Sequence, residues 1–75
     1  MKRARVASRV VHSVGYDAES SILEIEFHTG DIYRFLMIPI ALYEAFMGAD
    51  SKGTYFREHI RDKYPFERTR GPIIR

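Results

Sequence analysis

The stretch that narrows the fold most is "ILEIEFHTGDIYRF", residues 22 to 35. Leu23, Ile25 and Phe27 alternate with Glu24 and Glu26, the pattern of a strand with one apolar and one polar face. A second apolar run follows a short polar turn, so the pair predicts a β-hairpin. Its register depends on the loop, because a slip of one residue exchanges the faces of a whole strand. A two-residue loop of Thr29 and Gly30 sets Tyr33 opposite Glu26 and Phe35 opposite Glu24, which exposes both rings as a platform for bases. A three-residue loop of His28, Thr29 and Gly30, with glycine in the left-handed position, sets Phe27 opposite Asp31, Ile25 opposite Tyr33 and Leu23 opposite Phe35. It also sets Glu24 opposite Arg34, a cross-strand pair of opposite charge. These matches favour the second register, with Tyr33 and Phe35 on the core face.

The rest of the chain extends this hairpin. "VVHSVGY" is rich in β-branched residues and ends in a polar turn, which predicts a strand before the hairpin. The strand "DIYRFLMI" closes the hairpin, and Pro39 suits the first turn of a helix. Ile40, Tyr43, Phe46 and Met47 recur at helical spacing up to Gly48, a C-cap candidate. A second helix begins at "DSKGTYF", capped by Asp50 or Ser51, and stops at Tyr64 before Pro65. The expected architecture is α+β: a three-stranded antiparallel β-meander followed by two α-helices packed on one face. Residues 10–65 form the domain, 1–9 a flexible basic arm and 66–75 a tail. The expected core is Val14, Leu23, Ile25, Phe27, Tyr33, Phe35, Ile40, Tyr43, Phe46, Phe56 and Ile60.

Composition removes several classes of function. With 75 residues the chain has room for one small core, and with no cysteine it has no disulfide staple, thiolate metal site or thiol nucleophile. The first residues lack the pattern of a signal peptide, and no stretch is long enough to span a bilayer, so a cytoplasmic protein without membrane attachment is expected. The formal net charge of +2 is unevenly placed. Residues 1–9 carry Lys2, Arg3, Arg5 and Arg9 with no acid, and 65–75 carry Arg68, Arg70 and Arg75 against Glu67. The segment between is acidic overall. Basicity therefore lies in the ends, where it can follow a phosphate backbone through counterion release.

"SRVVHSVGYD", "LEIEFHTGDIYRF", "IP", "ADSKGTYF" and "IRDKYP" together resemble the KTSC domain, a small module found at the C-terminus of some lysyl-tRNA synthetases and as stand-alone bacterial and phage proteins. The resemblance covers residues 8 to 65. It implies RNA binding, directed at tRNA in the synthetase-appended form, rather than catalysis. The family's central Y-x-Y motif stands here as Tyr33, Arg34, Phe35. A phenylalanine in the second place removes a hydroxyl and leaves a packing role intact.

The residues themselves offer three sites. At the head of the second helix, Ser51, Lys52 and Gly53 combine free N–H groups, a cation and close backbone access, an anion-binding candidate. Along that helix Arg57 and Arg61 stand one turn apart on one flank, suited to successive phosphates, while Tyr55 projects off the apolar stripe as a stacking contact. With Lys2, Arg3, Arg5 and Arg9 these form the expected nucleic-acid surface. The ordinary alternatives are a capping serine, a packing glycine and solvated arginines, with Arg61 paired to Glu58. His12, His28 and His59 supply the groups of a ribonuclease, but no spacing unites any two of them, and no metal-ligand spacing or cofactor motif is present. The expectation is a non-catalytic RNA-binding module. Its rivals are an adaptor that engages a protein partner through a sheet edge or the C-terminal tail, and a binder of a small phosphorylated nucleotide at the second helix.

Overall fold

The computed structural model describes residues 3–70, with the side chain of Arg70 left aside. Five strands form one antiparallel sheet in sequential order: β1 (Ala4–Arg5), β2 (Val11–Asp17), β3 (Ile22–Phe27), β4 (Ile32–Phe35) and β5 (Phe66–Arg70). Two helical segments, α1 (Ile40–Gly48) and α2 (Lys52–Tyr55), lie between β4 and β5, and α2 runs on into a π-helical turn, Phe56–Ile60. The α+β class stands, and the three-stranded meander is its centre. The sheet is wider than expected because both supposed tails add an edge: Ala4 pairs with Val14 and Arg5 with Ser13, while Phe66 pairs with Phe35 and Glu67 with Arg34. Residues 71–75 lie outside the described residues.

The hairpin has the three-residue loop. The Phe27 amide donates to the Asp31 carbonyl at 2.9 Å, Leu23 faces Phe35, Ile25 faces Tyr33 and Glu24 faces Arg34. Gly30 takes φ 97°, a backbone that costs an L-residue about 1 to 2 kcal/mol. Gly30→Ala is therefore expected to lower stability by about that amount, read as a shift of the urea midpoint; an unchanged midpoint would mean that the turn relaxes freely.

In β2 the register slips between Val11 and Ser13. The extra residue, His12, lets Val11 and Val14 both enter the core, although strict alternation would put them on opposite faces. The fully buried side chains are Val11, Val14, Leu23, Ile25, Ile38, Phe46 and Ile60. Phe27, Tyr33, Tyr43 and Phe56 pack against this cluster half-buried. Ile40, expected inside, is 53% exposed. The buried anchor at this corner is Ile38, whose amide donates to the Ser21 carbonyl and whose carbonyl accepts the Tyr16 hydroxyl at 2.6 Å.

The second helix ends earlier than Tyr64. The Arg61 amide donates to the Phe56 carbonyl, five residues back, at 2.8 Å, and Asp62 then adopts φ 62°. This wide last turn ends the helix and sends the chain to Pro65, whose carbonyl receives the Leu36 amide at the start of β5's pairing.

Candidate nucleic-acid interface

The cationic candidates separate into three environments. Arg3 lies over the polar face of the sheet, 3.5 Å from Glu24 and 3.7 Å from Glu26. Glu24 also accepts from Arg34 Nε at 2.8 Å, and Ser13 Oγ donates to Glu26 at 2.8 Å. The Glu24 hydrogen bond and charge raise the Arg34 pKa above its ordinary value. That face is thus not simply wet: Glu24 is buried beneath two guanidinium groups, and Arg3 belongs to this internal network rather than to a free arm. Arg5 sits exposed on the edge strand β1. Lys2 lies outside the described residues.

The second environment is a cleft that joins distant parts of the chain. Ser8, Arg9 and Val10 form one wall, and Ser51 to Thr54 with Arg57 form the other. The first wall is held in place by Ser8. Its hydroxyl oxygen accepts from the amides of Val10 and Val11, and its carbonyl accepts from His28 Nε2 at 2.8 Å. Ser51 caps the helix by accepting from the Thr54 amide, and the Lys52 ammonium reaches the Ala49 carbonyl at 3.1 Å with donors left over. Gly53 is buried because a Cβ there would meet Val10 at 3.1 Å, so its absence lets the two walls close. Arg9, Lys52 and Arg57 all line this cleft, and Asp50 is the one acid among the residues that do. Five sequence candidates meet here, Arg9, Ser51, Lys52, Gly53 and Arg57, with Ser8 as a support that the sequence reading missed. The available signal was a serine two and three residues ahead of two amides at a strand start.

Arg61 belongs to a third environment. The π-turn carries it beyond the helix, so Arg57 and Arg61 do not form a one-turn ladder but border different cavities. Nor does Arg61 pair with Glu58; its nearest carboxylate is Asp62, at 4.0 Å. Around it Phe27, Tyr33, Phe35, Phe56 and Phe66 line an open hollow of about 370 Å³. Tyr33 and Phe35 are thus core-facing, as the register requires, yet Tyr33 remains half-buried and is stacked 5.3 Å from Phe66, which is 52% exposed. Tyr55 does not project freely. It packs 6.0 Å from Phe46 and 4.3 Å from His59.

Two of the three histidines do meet, against the sequence expectation: the rings of His12 and His28 lie edge to face at 5.1 Å. The bulge in β2 brings them together, and His28 is already committed to Ser8. Among the described residues no group of three His, Cys, Asp or Glu side chains could hold a metal ion, and no helix is long and apolar enough to cross a membrane.

A five-stranded antiparallel sheet carrying a short helical layer on one face, with cations gathered where the first segment meets the second helix, defines a small α+β module. The chain belongs to the KTSC domain family, whose model matches residues 7–64. It is similar to an uncharacterized protein of Stutzerimonas stutzeri (strain A1501), 38% identical over 64 residues that make up 85% of this chain and 90% of that one. It is also 33% identical over 58 residues to a lysine–tRNA ligase of Nostoc punctiforme, a match covering 77% of this chain and 10% of the ligase. Only a small segment of that enzyme is therefore concerned. The fold matches the crystal structure of a KTSC domain protein from Yersinia pestis with a TM-score of 0.87 and 34% identity, over 89% of this chain and 94% of that one. The family match ends before β5, the strand that supplies Phe66.

Proposed function

We propose that this KTSC domain is a non-catalytic RNA-binding module whose phosphate-tracking surface is the cleft between residues 7–10 and α2. The observation that carries this reading is the convergence of Arg9, Lys52 and Arg57, drawn from segments more than forty positions apart, on one concave surface. Cations that only solubilise have no reason to share a cleft, whereas a polyanion gains from each one it meets. The likeness to a segment of lysine–tRNA ligases supports tRNA as the RNA to try first. Arg3 is left out of the contact set because Glu24 and Glu26 already neutralise it.

The test is an amide NMR titration with a tRNA stem-loop and a short single-stranded RNA. If three phosphates are neutralised, affinity should fall roughly 20-fold between about 50 and 200 mM salt. Shifts should centre on residues 8–10 and 51–57. A flat spectrum at both salts rejects RNA and leaves the adaptor reading, with the exposed outer edge of β5 as the surface to follow.

A further inference from the structure

The aromatic hollow is not explained by packing alone. Its floor, Phe35 and Phe27, belongs to the core, but Tyr33 is only half-buried and stacks on the exposed Phe66 of the edge strand β5, with Phe56 as the opposing wall. At about 370 Å³ it falls in the size range of small-ligand sites, about 300 to 1,000 Å³. Flat aromatic walls of this kind accept planar rings.

The polar groups at the mouth narrow the choice. Asp31 is already satisfied, accepting from Arg68 at 2.9 Å and from the Thr29 hydroxyl at 2.9 Å. Asp62 is not: its side chain is 89% exposed, its nearest cation is Arg61 at a loose 4.0 Å, and its backbone holds the left-handed conformation that the π-turn imposes. A free carboxylate beside a stacking surface reads a ring edge that presents two parallel N–H donors. Among the four RNA bases, guanine offers that edge through N1–H and its 2-amino group. Adenine, cytosine and uracil each set an acceptor next to their donor and would repel one carboxylate oxygen. Arg61 lines the mouth as well, where a phosphate flanking a base would meet it, while Arg68 is taken up by Asp31.

We propose that this hollow holds one unstacked guanine base, stacked against the exposed ring of Phe66 and read by Asp62. The inference rests on the RNA-binding reading and gives it a base contact in addition to the phosphate cleft. Phe56 and Arg57 are consecutive, and one lines the hollow while the other lines the cleft, so a single strand could occupy both.

The test compares hexauridylate with the same hexamer carrying one central guanosine, and adds guanosine and adenosine 5′-monophosphates, with ring signals of Tyr33, Phe56 and Phe66 followed beside the cleft amides. The guanosine hexamer should bind about 5-fold or more tighter than hexauridylate and move the ring signals, since stacking of one base carries at least that factor. Phe66→Ala should erase the advantage, and Asp62→Asn should bring the guanosine and adenosine monophosphates level. Movement of the rings by guanosine monophosphate alone supports the hollow as a guanine site and assigns it to free nucleotide. Cleft shifts with silent rings overturn the guanine site while leaving the RNA-binding reading in place. Silence in both rejects both, and ring shifts with tetramethylammonium but with no guanine compound overturn the proposal in favour of a cation cage.

Discussion

Replacing Phe46 with alanine is expected to remove about 3 to 5 kcal/mol of stability, the cost of a large cavity in a closed core. A domain of this length is stable by only about 4 to 11 kcal/mol in total, so the variant should be partly unfolded at room temperature. The effect is large because α1 buries a single side chain completely, and that side chain is Phe46. Around it Tyr55 approaches at 6.0 Å, which couples α1 to α2. No cysteine is available to hold the helix if the contact is lost. The expected result is a urea midpoint that collapses, together with loss of the Phe46-facing signals of Tyr55. Ile40→Ala in the same helix should stay within about 0.5 kcal/mol, because its side chain is already half in water. Equal losses for the two would mean that α1 is seated the other way round.

The central hairpin was legible in sequence for a physical reason: three constraints, namely apolar alternation, a glycine needing positive φ and a Glu24–Arg34 match, all point to one register. Nothing competes with them locally. The edge strands were not legible because edges are built to look unlike strands. "AR" is too short for a pattern, and "FERTR" carries the charges that keep an edge from pairing with another sheet, so both read as tails. In β2 alternation counted back from Val14 puts Val10 inside and Val11 outside, whereas the bulge at His12 makes Val11 fully buried and leaves Val10 43% exposed. A bulge of this kind leaves no mark that period-two reasoning can see.

The candidate site follows the same division. Ser51, Lys52 and Gly53 were found as a helix start, and Arg57 as an exposed cation one turn later, all from local spacing. Their meeting with Arg9 depends on the Ser8 and His28 hydrogen bonds, which fold the segment before β2 back toward α2. That is a long-range event without a sequence signature. The reverse error occurred at Arg61, where helical periodicity was extended one turn too far. The π-turn closes with the Arg61 amide on Phe56 and carries the arginine to the aromatic hollow. The opening choice between core and platform for Tyr33 and Phe35 also has a composite outcome. The register puts both on the inner face, but Phe35 is fully covered and Tyr33 only in part, so one ring is core and the other is half platform.

Reversing Arg9 and Arg57 together to glutamate is expected to weaken RNA binding roughly 100-fold at about 50 mM salt. Each phosphate contact on a single strand carries a log–log salt slope of about 0.7, worth roughly 8-fold at that concentration, and two new acids add repulsion. Both side chains are exposed, so the double variant should keep the fold, checked by an unchanged amide spectrum. Arg5→Glu supplies the comparison. It removes a cation from the same N-terminal segment but from the edge strand β1, away from the residues that line the cleft. If the cleft is the phosphate site, Arg5→Glu should cost only a few-fold through the general field and should leave the salt slope nearly intact. If Arg5→Glu is as damaging, per charge, as the double reversal, the N-terminal cations act as a diffuse polycation and position does not matter. The comparison isolates the one thing that folding adds to the charge count, which is the placing of Arg9 opposite Lys52 and Arg57.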